Sequence, residues 1–177
     1  PQILRALAGL VMPRSENLRI LDLGCGTGLS GEAFEALAAY LEGIDLSPAM
    51  IEQARGRDIY DALSVGDLEI ALSEGARDTD LILAADTLVY LGDLSAVFAG
   101  AARRLAPDGF FLFTVEKKEG DGFDIGPKKR WRHSEDYLTA QAFRAGLSVA
   151  GILECAPRME ANRPVDGFAV ALMQGNG

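Results

Sequence analysis

Short apolar runs alternate along this chain with stretches in which apolar positions recur every three or four residues. The runs read as strands buried on both faces, and the periodic stretches read as amphipathic helices. Ile3, Leu7, Leu10 and Val11 predict a helix over Gln2–Met12, which Pro13 ends. Strands are expected at Arg19–Leu23, Leu41–Asp45, Leu63–Val65, Asp80–Ala84 and Phe110–Val115. Between them fall helices over Leu29–Ala39, Met50–Arg55, about Leu68–Ser73 and about Leu94–Leu105. Ser47 occupies an N-cap position and Pro48 the first helical position behind it. Ala106-Pro107-Asp108-Gly109 reads as a turn before the fifth strand. Alternation of this kind specifies an α/β fold, a parallel sheet with helices on both faces.

The pattern changes after Glu116. Residues 117–133 are polar and glycine-rich with no clear period, and read as a long loop or lid. Ser134-Glu135-Asp136 caps a helix through Ala145, with Gly146 as its stop. Leu147–Cys155 and Asp166–Met173 read as a final strand pair joined by 156–165. The 177 residues suit a single domain over 1–177. The chain opens at Pro1 with a helix already under way, so it is read as part of a longer protein.

Composition narrows the partners. An apolar fraction of 49% belongs to a globular protein and excludes a disordered one. The net charge of −9 disfavours phosphate backbones and anionic lipid surfaces, so neither nucleic acid nor membrane is expected as a partner. One local exception is the basic run Lys128-Lys129-Arg130-Trp131-Arg132-His133. Such runs are usually solvated; a clamp for a charged ligand is the alternative. Cys25 and Cys155 match no zinc spacing, so no metal is expected, and their number argues for a reducing, cytoplasmic setting. No apolar run reaches the roughly 18 residues that span a bilayer.

The candidate chemistry lies in Ile20-Leu21-Asp22-Leu23-Gly24-Cys25-Gly26-Thr27-Gly28, a strand that runs into a glycine turn and then a helix. Glycines let backbone approach a ligand closely, and a helix start offers unpaired N–H groups. Asp45 closes the next strand, near the spacing of about 20 residues at which a carboxylate meets a ribose. This layout binds nucleotides.

Leu21-Asp22-Leu23-Gly24-Cys25-Gly26-Thr27-Gly28 resembles the first motif of class I S-adenosylmethionine-dependent methyltransferases. Gly43–Arg55 is similar to the second-strand motif of that family, and Gly66-Asp67-Leu68 to its third-strand end. Asp80–Leu94 and Leu105–Glu116 resemble its fourth and fifth strands. The resemblance covers roughly residues 15–116 in the family's order. It implies a Rossmann-like, doubly wound sheet of seven strands with the last strand antiparallel. It implies S-adenosylmethionine as cofactor and S-adenosylhomocysteine as product. Gly24, Cys25 and Gly26 would then line the cofactor with backbone, and Asp22 would help hold the methionine end or its water. Asp45 would take both ribose hydroxyls. Leu46 and Met50 would pack on the adenine, Asp67 would accept from its amino group, and the Leu68 backbone would meet a ring nitrogen. Ala85 would face the methionine portion. Ala84–Leu94 with Trp131–Leu147 also resembles methyltransferases that carry tetratricopeptide repeats upstream.

The reaction implied is an in-line displacement, for which a protein aligns the acceptor and excludes water. It needs no enzyme nucleophile, so Cys25 is expected to matter through its backbone. A general base would assist an acceptor that carries a proton. His133, the only histidine, is the obvious base by residue type, although beside three cations it also reads as a surface residue. Asp86, Tyr90 and Glu116 follow the fourth and fifth strands, where open α/β sheets bind ligands, and are candidates for acceptor contact. The segment after the fourth strand has no Asn/Asp-Pro-Pro-Tyr, so methylation of a nucleic-acid base is disfavoured and a small molecule is the expected acceptor, oxygen ahead of nitrogen or carbon. Two other readings stay open. Gly26–Gly31 matches the dinucleotide fingerprint of NAD-dependent oxidoreductases, although no Tyr-x-x-x-Lys pair accompanies it. The fold could also serve as a non-catalytic cofactor-binding module.

Overall fold

The structure is a computed structural model and describes residues 1–13, 16–126, 128–160 and 163–174. Its elements in order are α1 (Gln2–Val11), β1 (Leu18–Leu23), α2 (Leu29–Phe34), β2 (Ala38–Asp45), α3 (Pro48–Arg55), β3 (Ala62–Val65), α4 (Leu68–Glu74), β4 (Thr79–Ala84), α5 (Ser95–Arg104), β5 (Leu105–Lys117), β6 (Phe123–Ile125), β7 (Trp131–His133), α6 (Glu135–Arg144), β8 (Leu147–Glu160) and β9 (Arg163–Gln174). Strands β3, β2, β1, β4 and β5 lie side by side in that order and are parallel. Antiparallel β9 pairs with β5, and β8 pairs with β9. These seven strands are the expected doubly wound sheet with its last strand reversed.

Successive residues of a strand point to opposite faces, so each apolar run feeds two cores. Leu21, Ile82, Phe111 and Phe113 pack on one face with Phe98 and Ala101 of α5 and Leu138 of α6. Ile20, Leu81, Leu83, Phe110 and Leu112 pack on the other with Leu4 and Leu7 of α1 and Phe34 of α2. Asp22 shares this second face and is fully buried.

Three local expectations are revised. The helix expected over Leu29–Ala39 stops at Phe34, a 3-10 turn covers Glu35–Leu37, and β2 starts at Ala38. Pairing of Ala38 with Leu18 and Tyr40 with Arg19 overrides the helix preference of the alanines. The joint at 156–165 is largely strand: the β8–β9 pairing resumes past a bulge and runs out to Glu160 and Arg163. The polar stretch 117–133 holds a hairpin, β6 with antiparallel β7, hung from the end of β5 by the parallel pairing of Glu116 with Arg132. Its strands are three residues each, too short to show a period of two. The turn at Ala106–Gly109 survives as a loop-out within β5. Leu105 pairs with Thr79 and the register resumes at Phe110 with Leu81.

Candidate active site

A cleft of about 660 Å³ opens above the carboxyl ends of β1, β2 and β4. The glycine turn forms its floor. Gly24 and Gly26 have φ of 64° and 54°, in the left-handed region where a Cβ is costly. A Cβ on Gly24 would also lie 2.4 Å from the Thr87 methyl, so the turn sits hard against the segment after β4. The Cys25 amide donates to the Ile44 carbonyl at 3.0 Å and ties the turn to β2. Burial, reinforced by the charges of Asp22 and Asp45, pushes the Cys25 thiol up to about 12. It is not a nucleophile at neutral pH. α2 is only six residues long, so backbone shape rather than a long helix dipole characterises this turn.

Asp45 lines the cleft at the end of β2. Its Oδ2 accepts from the Gly26 amide at 2.9 Å and its Oδ1 from the Ser47 amide at 2.8 Å. A carboxylate has about four acceptor sites, so two remain for a pair of hydroxyls. Leu46, 69% exposed, and Met50 stand beside it at the rim. Asp67 caps α4 through Oδ1 alone, accepting from Glu69 at 2.8 Å and Ile70 at 3.1 Å. The Leu68 amide, first in that helix, has no intrahelical partner. Asp67, Leu68 and Ala85 all line the cleft. Two ribose acceptors, an apolar rim and a donor–acceptor pair thus fit the nucleoside of S-adenosylmethionine, and the open space beyond Gly26 leaves room for it.

Asp22 is placed differently. It has no solvent exposure, does not line the cleft, and lies beneath the glycine turn. Its Oδ2 accepts from the Tyr60 hydroxyl at 2.7 Å, while Oδ1 has no partner of normal hydrogen-bond geometry among the described residues. Burial pushes its carboxyl up to about 6, against the lowering effect of the Tyr60 hydroxyl and the nearby Gly31 amide. Gly31 is required here because a Cβ would lie 2.3 Å from the Tyr60 oxygen.

The acceptor candidates divide. Asp86 and Tyr90 line the cleft. Glu116 does not; it is buried, and its Oε1 takes two bonds from Arg158, at 3.1 and 2.7 Å. His133 is also outside the cleft and fully buried. Its Nε2 lies 2.9 Å from the Gly92 carbonyl, and its ring packs against both Phe123 and Tyr137. Burial holds its pKa below the ordinary histidine value. It pins the segment after β4 from outside the cleft. The basic run is neither a solvated patch nor a ligand clamp as a unit. Lys128 and Lys129 are exposed, Arg132 pairs with Asp124 at 3.0 Å, and Arg130 turns inward to Asp86.

Sequence reasoning missed Thr87, Thr114, Pro157 and Arg158, which also line the cleft. The last two arrive with the unforeseen extension of β8. The Thr87 hydroxyl lies within 3.3 Å of the carbonyls of Leu23, Gly24 and Ala85 and has one hydrogen to donate among them, a role that the polar step in Ala84-Ala85-Asp86-Thr87 could have suggested.

Comparison with known proteins identifies the family. Residues 21–111 match the model of a methyltransferase domain family, and the chain belongs to that family. The cofactor of the class is S-adenosylmethionine, and the dinucleotide reading of the glycines is set aside. The chain is 29% identical over 145 residues to the 18S rRNA (guanine-N(7))-methyltransferase of Bos taurus, covering 81% of this chain and 51% of that protein. It is 31% identical over 148 residues to the ubiquinone biosynthesis O-methyltransferase of Xanthomonas axonopodis pv. citri, covering 76% and 62%. It spans about half the length of the first of these. Among solved structures, an S-adenosylmethionine-dependent methyltransferase from Mesorhizobium loti superposes with a TM-score of 0.74 at 23% identity over 98% of this chain and 96% of that one. No helix among the described residues is long and apolar enough to cross a membrane.

Proposed function

We propose that this protein transfers the methyl group of S-adenosylmethionine to a small-molecule acceptor, with oxygen favoured over nitrogen or carbon. The cofactor supplies an electrophilic methyl on a sulfonium. Asp45, Asp67, the Leu68 amide, Leu46 and Met50 hold its nucleoside, Gly24, Cys25, Gly26 and Ala85 border its methionine portion, and Asp22 acts from beneath by stiffening the turn. The observation that carries the acceptor reading is the carboxylate of Asp86, 47% exposed at the cleft edge beside the 65% exposed Tyr90. A carboxylate there accepts the hydrogen bond of an O–H or N–H and takes up its proton as the methyl bond forms. The aromatic face and the neighbouring Leu91 and Pro157 suit a flat, partly apolar molecule.

A second reading, a ribosomal RNA base, draws on the cattle relative. The N7 of guanine carries no proton and needs no base. The charge of −9 weighs against an RNA partner. A cytoplasmic setting is read from the two free cysteines. The likeness to chains with upstream tetratricopeptide repeats is a further reading, tested by sequencing the gene upstream of Pro1.

The test begins with calorimetry of S-adenosylhomocysteine and NAD, with Asp45→Ala as control. Saturable binding of the homocysteine nucleoside that Asp45→Ala abolishes supports the donor half. Labelled methyl transfer to a panel of phenols and to ribosomal RNA then decides the acceptor. Label entering RNA alone, undiminished in Asp86→Asn, would sink the small-molecule reading.

A further inference from the structure

We propose that Arg130 is a positioning residue for the acceptor end of the cleft: one guanidinium fixes Asp86 and Tyr90 in the poses from which they meet the methyl acceptor. This rests on the methyltransferase reading above.

Asp86 has a φ of 56°, a region that non-glycine residues seldom occupy. Such a pose is strained and persists where its surroundings over-determine it. Here they do. The Asp86 amide donates to Thr114 Oγ1 at 2.9 Å. Arg130 grips both carboxylate oxygens, Nη1 to Oδ1 at 3.1 Å and Nη2 to Oδ2 at 3.1 Å. The same Nη2 donates to the Tyr90 hydroxyl at 2.9 Å, and the guanidinium carbon lies 5.0 Å from the centre of the Tyr90 ring. Glu116 of β5 stands 3.8 Å from Nη1 and is itself held by Arg158 of β8. A forked, planar cation is the side chain that satisfies this set; an ammonium would reach only part of it.

Arg130 acts through its partners. Its side chain is 13% exposed and does not line the cleft, whereas Asp86 and Tyr90 do. The hairpin aims it. The Gly126 amide donates to the Arg130 carbonyl at 2.7 Å, and Lys129 takes a φ of 58° just before it. Lys128 and Lys129 therefore stay outside while the next cation turns in. The stretch that the sequence offers as a lid is thereby latched to the acceptor site by one residue.

The chemical consequence concerns the Asp86 proton. Burial pushes the Asp86 carboxyl up, and the Arg130 guanidinium is the largest influence pulling it back. Arg130 is thus the principal counter-charge that favours the ionised, proton-accepting form of the Asp86 carboxylate. Without it, Asp86 would stand partly buried beside Glu116 with its principal counter-charge gone.

The experiment is a carbon-13 carboxyl titration of the full chain labelled at aspartate, with Asp86 assigned by Asp86→Asn. Wild type, Arg130→Gln and Arg130→Lys are titrated in parallel, and each is also tested for S-adenosylhomocysteine binding. Arg130→Gln is expected to raise the Asp86 midpoint by about one pH unit or more. Arg130→Lys should raise it by less, because the charge stays while the fork is lost. Homocysteine-nucleoside affinity should stay within about twofold in both, since the nucleoside-holding residues are separate from this cluster. An unmoved Asp86 midpoint in a folded Arg130→Gln protein overturns the proposal and leaves Arg130 a mere hairpin pin. If that variant fails to fold, an unmoved midpoint in Arg130→Lys overturns it equally. Failure of the wild type to bind the homocysteine nucleoside would count against the methyltransferase reading, and the titration would still judge Arg130.

Discussion

The hydroxyl of Tyr60 donates a 2.7 Å hydrogen bond to Oδ2 of Asp22, a carboxylate with no solvent exposure. The pair lies directly under the glycine turn, and Gly31 is the clearance that lets the phenol in. A buried carboxylate with one bonded oxygen is a proton-sensitive support for whatever rests on it.

Stability should register that proton. The Asp22 carboxyl sits at about 6 in the folded chain against 3.8 ordinarily, so the folded state holds more protons between those values. Its contribution is therefore full at low pH and is lost as pH rises through about 6. Asp22→Asn keeps an acceptor for Tyr60 and cannot ionise. Denaturant unfolding at pH 4 and pH 7 should show the variant gaining on wild type by about 2 kcal/mol across that interval. A pH-independent difference would mean that Asp22 is not titrating where its burial places it.

The contact between Gly24 and Thr87 should appear as a coupled pair. Gly24→Ala puts a Cβ 2.4 Å from the Thr87 methyl at a φ of 64°. We expect a loss of about 2–4 kcal/mol, from overpacking and backbone strain together. Thr87→Ala removes the methyl and the hydroxyl from that space. The double variant should recover about 1 kcal/mol or more relative to additivity in a double-mutant cycle. Strict additivity would show that strain alone, not contact, fixes this glycine.

His133→Gln should cost stability and leave the cofactor alone. The ring is fully buried against the Gly92 carbonyl and two aromatic rings. Its pKa is held below the ordinary value of 6.5, so its contribution is present above 6.5 and is lost as pH falls through the lower folded value. The variant should melt lower by several degrees at pH 7.5 and lose less than wild type on acidification. Homocysteine-nucleoside binding by calorimetry should not change; a large loss would return His133 to the site.

Asp45→Asn is the gentler companion of the alanine control. It retains one acceptor oxygen but loses the charge and turns the other position into a donor facing a backbone amide. Affinity for the homocysteine nucleoside should fall about 10-fold to 150-fold, the range for losing a hydrogen bond to a charged group. Wild-type affinity in this variant would remove Asp45 from the ribose role.

The donor half was legible because its constraints are local. Gly24 and Gly26 adopt the positive φ that glycine permits, Asp45 ends β2 and bonds the Gly26 and Ser47 amides, and Asp67 follows β3 and bonds amides two and three residues on. The acceptor half is assembled from far apart. Arg130 and Asp86 are 44 residues distant in the chain, and nothing in a run of four cations says which one turns inward. His133 stood out by residue type, and the structure buries it outside the cleft, among rings that Trp131 and Tyr137 on either side of it in the sequence already suggested. The short β2 extension at Ala38 and the hairpin at 123–133 were lost because pairing partners, not side-chain periodicity, define them.

The family match ends at residue 111, yet the cleft closes with Thr114, Pro157 and Arg158, and Arg130 stands behind them. The glycine turn, Asp45, Asp67, Asp86 and Tyr90 come from the matched stretch, and the far wall of the cleft comes from residues beyond it. Rewriting the hairpin and the tip of the strand pair would reshape that wall while leaving the glycine turn, Asp45 and Asp67 as they are.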